Sequence, residues 1–223
     1  MDKAKHQERQ LVRSESLHKH ISGNLNFDWP DLAILFCAVV IASVGLAEEN
    51  SPIIVGSMLI SPLMSPLLGV GYGITRREFT MIKQGALLLG LQLIISLVAS
   101  TGYFLVMQNA TVNEAILSRT SITVGVAIVA FFGGLAAIIG SAKKDSGNIL
   151  PGVAIAASLM PPLATVGFGL ANASWDIALH AGELFFLNVG MIILGAALGT
   201  LPIVNRQRAE KRNDNHKWKS KGN

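Results

Sequence analysis

Gly56-Ser-Met-Leu-Ile-Ser-Pro-Leu-Met-Ser-Pro-Leu-Leu-Gly-Val-Gly-Tyr-Gly-Ile74 is apolar over a length that crosses a bilayer, yet Pro62 and Pro66 interrupt it. Moving 96 residues along gives Gly152-Val-Ala-Ile-Ala-Ala-Ser-Leu-Met-Pro-Pro-Leu-Ala-Thr-Val-Gly-Phe-Gly-Leu170. Glycine, Leu-Met, Pro-Leu, Val-Gly and glycine recur in register, and Phe168 stands where Tyr72 did. Shared order, more than shared composition, marks an internal repeat. Proline removes an intrahelical hydrogen bond and clashes with the carbonyl one turn back, so both stretches are expected to kink or unwind.

The surrounding chain is 51% hydrophobic and 14% charged, richer in apolar and poorer in charged residues than a soluble domain. Its net charge of +4 comes from basic residues that flank apolar runs, where they report membrane orientation. No recognition motif accompanies them, so nucleic acid is not an expected partner. The single cysteine, Cys37, lies inside an apolar run, excludes an intrachain disulfide and reads as packing. About 30 polar residues precede the first apolar run, with no short signal-peptide core, so that run is expected to insert and stay.

Six apolar segments follow, at 31–47, 52–74, 79–106, 121–141, 149–170 and 178–204, each near the length needed to cross about 30 Å of hydrocarbon. If all six cross with the N-terminus inside, the basic residues of the first tail, Arg76, Arg77, Lys83, Lys143, Lys144 and the basic tail from Arg206 to Lys221 all collect on the inner face. Only Arg119 is left outside. A segment 52–74 that dips in and returns would put Glu48 and Glu49 beside Arg76 and Arg77 and spoil that partition. Three spans per repeat is odd, so the second repeat enters from the opposite side and the repeats are inverted. The expected architecture is an all-α integral membrane protein with Pro-broken second and fifth helices. A basic juxtamembrane tail (1–30), first repeat (31–106), outer loop (107–120), second repeat (121–204) and basic tail (205–223) divide the chain. In the first tail, Leu11, Val12, Leu17, Ile21 and Leu25 are spaced as a surface helix lying against headgroups needs, and Trp29-Pro30 marks the interface.

The breaks at Pro62, Pro66, Pro161 and Pro162 must face inward, because freed backbone groups in lipid cost several kcal/mol. Ser57, Ser61, Ser65, Ser158 and Thr165 add hydroxyls beside the half-helix ends, a setting for a small ion or polar solute. An architectural kink with close-packing glycines is the plainer alternative. The same offset pairs Gln92 with Asn188, each about ten residues into its segment and near the midplane, either flanking one site or acting as interhelical glue. Glu183 lies inside a span with His180 three residues before it on one helical face, which suits proton transfer or cation entry; pairing of Glu183 with Arg119 is the structural alternative. No zinc motif, nucleophile elbow or phosphate loop is present, so neither an enzyme, a metal centre nor a cofactor is expected.

These residues resemble a family of hydrophobic membrane proteins called domain of unknown function 389. Gly45-Leu, Gly56-Ser-Met-Leu-Ile-Ser-Pro-Leu-Met-Ser-Pro, Ser118-Arg-Thr, Pro151 to Leu163 and Leu184-Phe-Phe-Leu-Asn188 carry the resemblance across about residues 31–200. Members usually read Gly-Ala-Met-Leu and Pro-Leu-Met-Gly-Pro; Ser57 and Ser65 here are small-for-small exchanges that add hydroxyls. Some members carry a further soluble N-terminal domain, for which the first tail is too short. The resemblance implies the architecture and gives weight to Arg119 and Asn188.

The expected function is a transporter or channel of the bacterial or archaeal cytoplasmic membrane. It would hold a small polar or ionic solute near Gln92 and Asn188, with both termini inside and the lipid bilayer and further copies of the chain as partners. A non-transporting scaffold or stress-response subunit, packing into oligomers through glycine-rich faces, is the alternative.

Overall fold

In the computed structural model, the described backbone covers residues 17–26, 28–107, 110–142 and 149–221, with side chains described except at 149–154, 203 and 206–221. Among the described residues every regular element is a helix. A short helix α1 (17–23) leads into α2 (Trp29–Ala47), α3 (Ser51–Leu59), α4 (Met64–Arg76) and α5 (Phe79–Val106). The short α6 (Glu114–Leu117) precedes α7 (Val124–Ser141), α8 (Ile149–Ala171) and α9 (Trp175–Lys221). By length and composition α2, α5, α7 and the Trp175–Pro202 part of α9 can cross a membrane, and the bent pair α3 and α4 makes a fifth span if counted as one.

Helix starts follow the local chemistry. Pro30 and Pro52 occupy first turns, where no N–H is needed, and Asn50, Asn113 and Thr123 accept a backbone N–H three residues on. Three helix ends share one device. Glu49, Arg77 and Ala173 adopt left-handed φ values of 52°, 59° and 52°. The next N–H then returns to a glycine carbonyl: Asn50 to Gly45 at 2.8 Å, Glu78 to Gly73 at 2.9 Å, Ser174 to Gly169 at 2.8 Å. Each of these glycines is also where the following helix crosses. A Cβ there would meet Ile54, Ile82 or Ala178, each nine residues further on. The last two hairpins are 96 residues apart, matching the sequence offset.

Two further contacts keep that offset. A Cβ on Gly71 would come 2.7 Å from Ala196 Cβ, and one on Gly167 would collide with Ser100. Positions 71 and 167 correspond, and so do 100 and 196. These glycines pack within the chain, which removes them from the glycine faces on which the scaffold reading relied.

Helix α1 departs from expectation. Leu17, Ile21 and Leu25 are buried in the protein core, and Leu25 fills the hollow above Gly69 of α4. Its apolar face is covered by protein instead of lipid, because Gly69 leaves room for a leucine. Leu11 and Val12 lie outside the described residues, as do Lys143 and Lys144. Cys37 is exposed on α2 and fills no core.

Candidate functional site

The site is built on what two proline pairs do to the backbone. Proline cannot donate to the carbonyl four residues back, so Pro62 strands the Met58 carbonyl, Pro66 that of Pro62, and Pro162 that of Ser158. In the first stretch the helix stops: α3 ends at Leu59, α4 begins at Met64, and their axes differ by 56°. The Ser61 N–H takes up the Met58 carbonyl at 3.4 Å. Pro66 falls in the first turn of α4, where an N–H has no helical partner anyway.

The second stretch corrects the expectation of a broken fifth helix: α8 runs without interruption from Ile149 to Ala171 with Pro161 and Pro162 inside it. The reason is a substitute donor. Asn188 Nδ2 on α9 donates to the Ser158 carbonyl at 2.6 Å, the group to which Pro162 cannot donate. In the first repeat the corresponding amide, Gln92 Nε2 on α5, reaches the corresponding carbonyl, Pro62, at a long 3.5 Å. Gln92 and Asn188 stand equally far along helices that begin at Phe79 and Trp175. The structure therefore seats each amide against its own repeat's proline stretch.

Because a carbonyl only accepts, each contact fixes which end of the amide is nitrogen. The other end is then an oxygen, and Gln92 Oε1 and Asn188 Oδ1 are both buried with no hydrogen-bond partner among the described residues. The side chains are 2% and 0% exposed. Ser61 Oγ, next in the chain to Pro62, and Thr165 Oγ1 on α8 are likewise buried without partners. Ser57 instead donates to the Ile54 carbonyl at 2.7 Å, and Ser65 is half-buried at the start of α4. Each unsatisfied buried oxygen costs about 1–3 kcal/mol, so a set of them needs an occupant or a function.

A polar stripe on α5 was not read from the sequence. Gln92, Ser96 and Ser100 are four residues apart and all buried. Ser100 Oγ donates to the Ala164 carbonyl of α8 at 2.8 Å, with Ser43 Oγ 3.2 Å away. Three polar residues at helical spacing in an apolar span are a legible signal for an inward face.

The rim residues do not come together as expected. Glu183 and His180 are exposed on α9, and His180 Nδ1 donates to the Asp176 carbonyl at 2.7 Å. Among the described residues Glu183 has no ion-pair partner, while Arg119 Nε is buried without a hydrogen-bond partner. Burial pushes the Arg119 pKa down from its ordinary value. At the opposite end Arg76 bonds Tyr72 Oη at 2.9 Å and Glu78 at 2.8 Å, and Glu78 faces His18 of α1 at 3.7 Å.

Among the described residues no three His, Cys, Asp or Glu side chains gather as a metal site would require. Comparison with known proteins returns the family model described as domain of unknown function 389, matching residues 58–194. An uncharacterized protein of Methanocaldococcus jannaschii is 25% identical over 208 residues, 90% of this chain; the chain spans 64% of that relative's length. No solved structure matches.

Proposed function

The chain belongs to the domain of unknown function 389 family, and we propose that it is a transporter or channel for a small polar or ionic solute. The proposal includes six spans in two inverted three-helix repeats, both termini on the cytoplasmic face, and a solute path between the two proline stretches. One observation carries it. Two amides related by the 96-residue offset each face a carbonyl of a proline stretch, Asn188 at 2.6 Å and Gln92 at 3.5 Å, and each leave a buried oxygen open.

The repeat reading is supported by reciprocity. Gly71 meets position 196 and Gly167 meets position 100, the i-to-j and j-to-i pattern of a two-fold relation. Full crossing of the bent pair is supported by its neighbours. At one end the Asn113 amide bonds the Leu46 carbonyl and Glu49 accepts the Glu114 N–H; at the other Arg76 and Glu78 adjoin His18. These ends match the two ends of α5, which at 1.5 Å per residue lie farther apart than the hydrocarbon is thick. The basic flanks support the cytoplasmic reading of both termini. Helix faces exposed on this chain leave room for lateral association with further copies.

The test is flux and conductance in liposomes holding folded protein, across a panel of small ions and neutral polar solutes. Selective movement of one class is expected. Silence toward the whole panel overturns the proposal.

A further inference from the structure

Resting on the transport reading, we infer that the solute is a compact monovalent cation held by uncharged oxygens. The polar atoms left open in the proline region decide this. Gln92 Oε1 and Asn188 Oδ1 can only accept, while each amide nitrogen spends one of its two N–H donors on the Pro62 or Ser158 carbonyl, so the open oxygens outnumber the open donors. Ser61 Oγ beside the first break, and Thr165 Oγ1 seven residues beyond Ser158 on the same face of α8, add hydroxyl oxygens able to turn a lone pair inward. A partner for these oxygens must bring positive charge or N–H or O–H donors of its own.

The charge balance narrows the class. Multivalent cations are bound by gathered carboxylates, and no such group exists among the described residues. Neutral carbonyl, amide and hydroxyl oxygens replace the hydration shell of sodium, potassium or ammonium instead. Each is compact enough to lie between close-packed helices, and none needs a counter-charge in the wall.

Thermal unfolding of the detergent-purified full chain, in sodium, potassium, lithium, ammonium or N-methylglucamine chloride at fixed ionic strength, tests the inference. Wild type is expected to unfold at higher temperature with one small cation, saturably, and not with N-methylglucamine. Ser61→Ala and Thr165→Val delete hydroxyls that bond nothing in the fold, so without cation both variants should match or exceed wild-type stability. Both should bind the stabilising cation about tenfold more weakly, the loss of one ligand. An unfolding temperature indifferent to all small cations, or a shift unchanged in both variants, overturns the inference. Movement of a neutral solute in liposomes by such cation-indifferent protein would sink the cation alone and leave transport standing. Liposome silence alongside a cation shift abolished in both variants would instead keep the cation site and remove the transport reading beneath it.

Discussion

The first proline stretch breaks with a 56° bend between α3 and α4, while its counterpart stays helical throughout α8. Spacing explains the difference. Pro62 and Pro66 strip two carbonyls one turn apart on the same face, so the loss opens a wedge and the helix folds away from it. Pro161 and Pro162 strip neighbouring carbonyls that point about 100° apart, and the Asn188 amide replaces the donor for one of them at 2.6 Å. The corresponding Gln92 contact, at 3.5 Å, is too long to hold a helix together. A proline motif therefore sets where a span is weak; the facing side chain and the proline spacing set whether it breaks.

The largest expected effect comes from transplanting the spacing. Ser158→Pro places prolines four apart in α8 as in the first repeat, and should break it, at a cost of about 3 kcal/mol. Spin-label distances across α8 would report the bend, and an unbent α8 would refute the spacing rule. Next, Asn188→Leu removes the amide donor to the Ser158 carbonyl and should lower stability by about 1–3 kcal/mol in thermal unfolding. Adding Pro162→Ala restores the missing N–H, so the double variant should recover most of that loss. Additive effects would show that Asn188 does not act on this carbonyl. Smallest is Gln92→Leu, whose bond is already long and whose open oxygen is removed with it. A change within about 0.5 kcal/mol is expected, and a loss as large as that for Asn188→Leu would remove the asymmetry between the repeats.

Much of this was legible in the chain. All six apolar segments appear as helices, because apolar length and short polar connections leave few alternatives. The 96-residue offset alone pairs Gln92 with Asn188. That Asn188 would brace the Ser158 carbonyl was not legible, since it depends on how α9 rotates. The left-handed caps were hidden for a different reason: Glu49, Arg77 and Ala173 occupy a conformation that glycine usually advertises. Leu17, Ile21 and Leu25 showed an amphipathic face but not its partner, the hollow at Gly69. Pairing of Arg119 with Glu183 followed from counting charges, and failed because Arg119 Nε turns into protein while Glu183 stays exposed.

Side-specific thiol labelling tests the central claim most directly. Single cysteines at Ser61, Ser65, Gln92, Ser158 and Asn188 in a Cys37→Ser background would be exposed to membrane-impermeant reagents in sealed, oriented vesicles. The account predicts labelling at Gln92 and Asn188, from both sides for a pore or from alternating sides for a transporter. Complete protection of all five positions, in protein shown to be folded, would mean a dry bundle and contradict it.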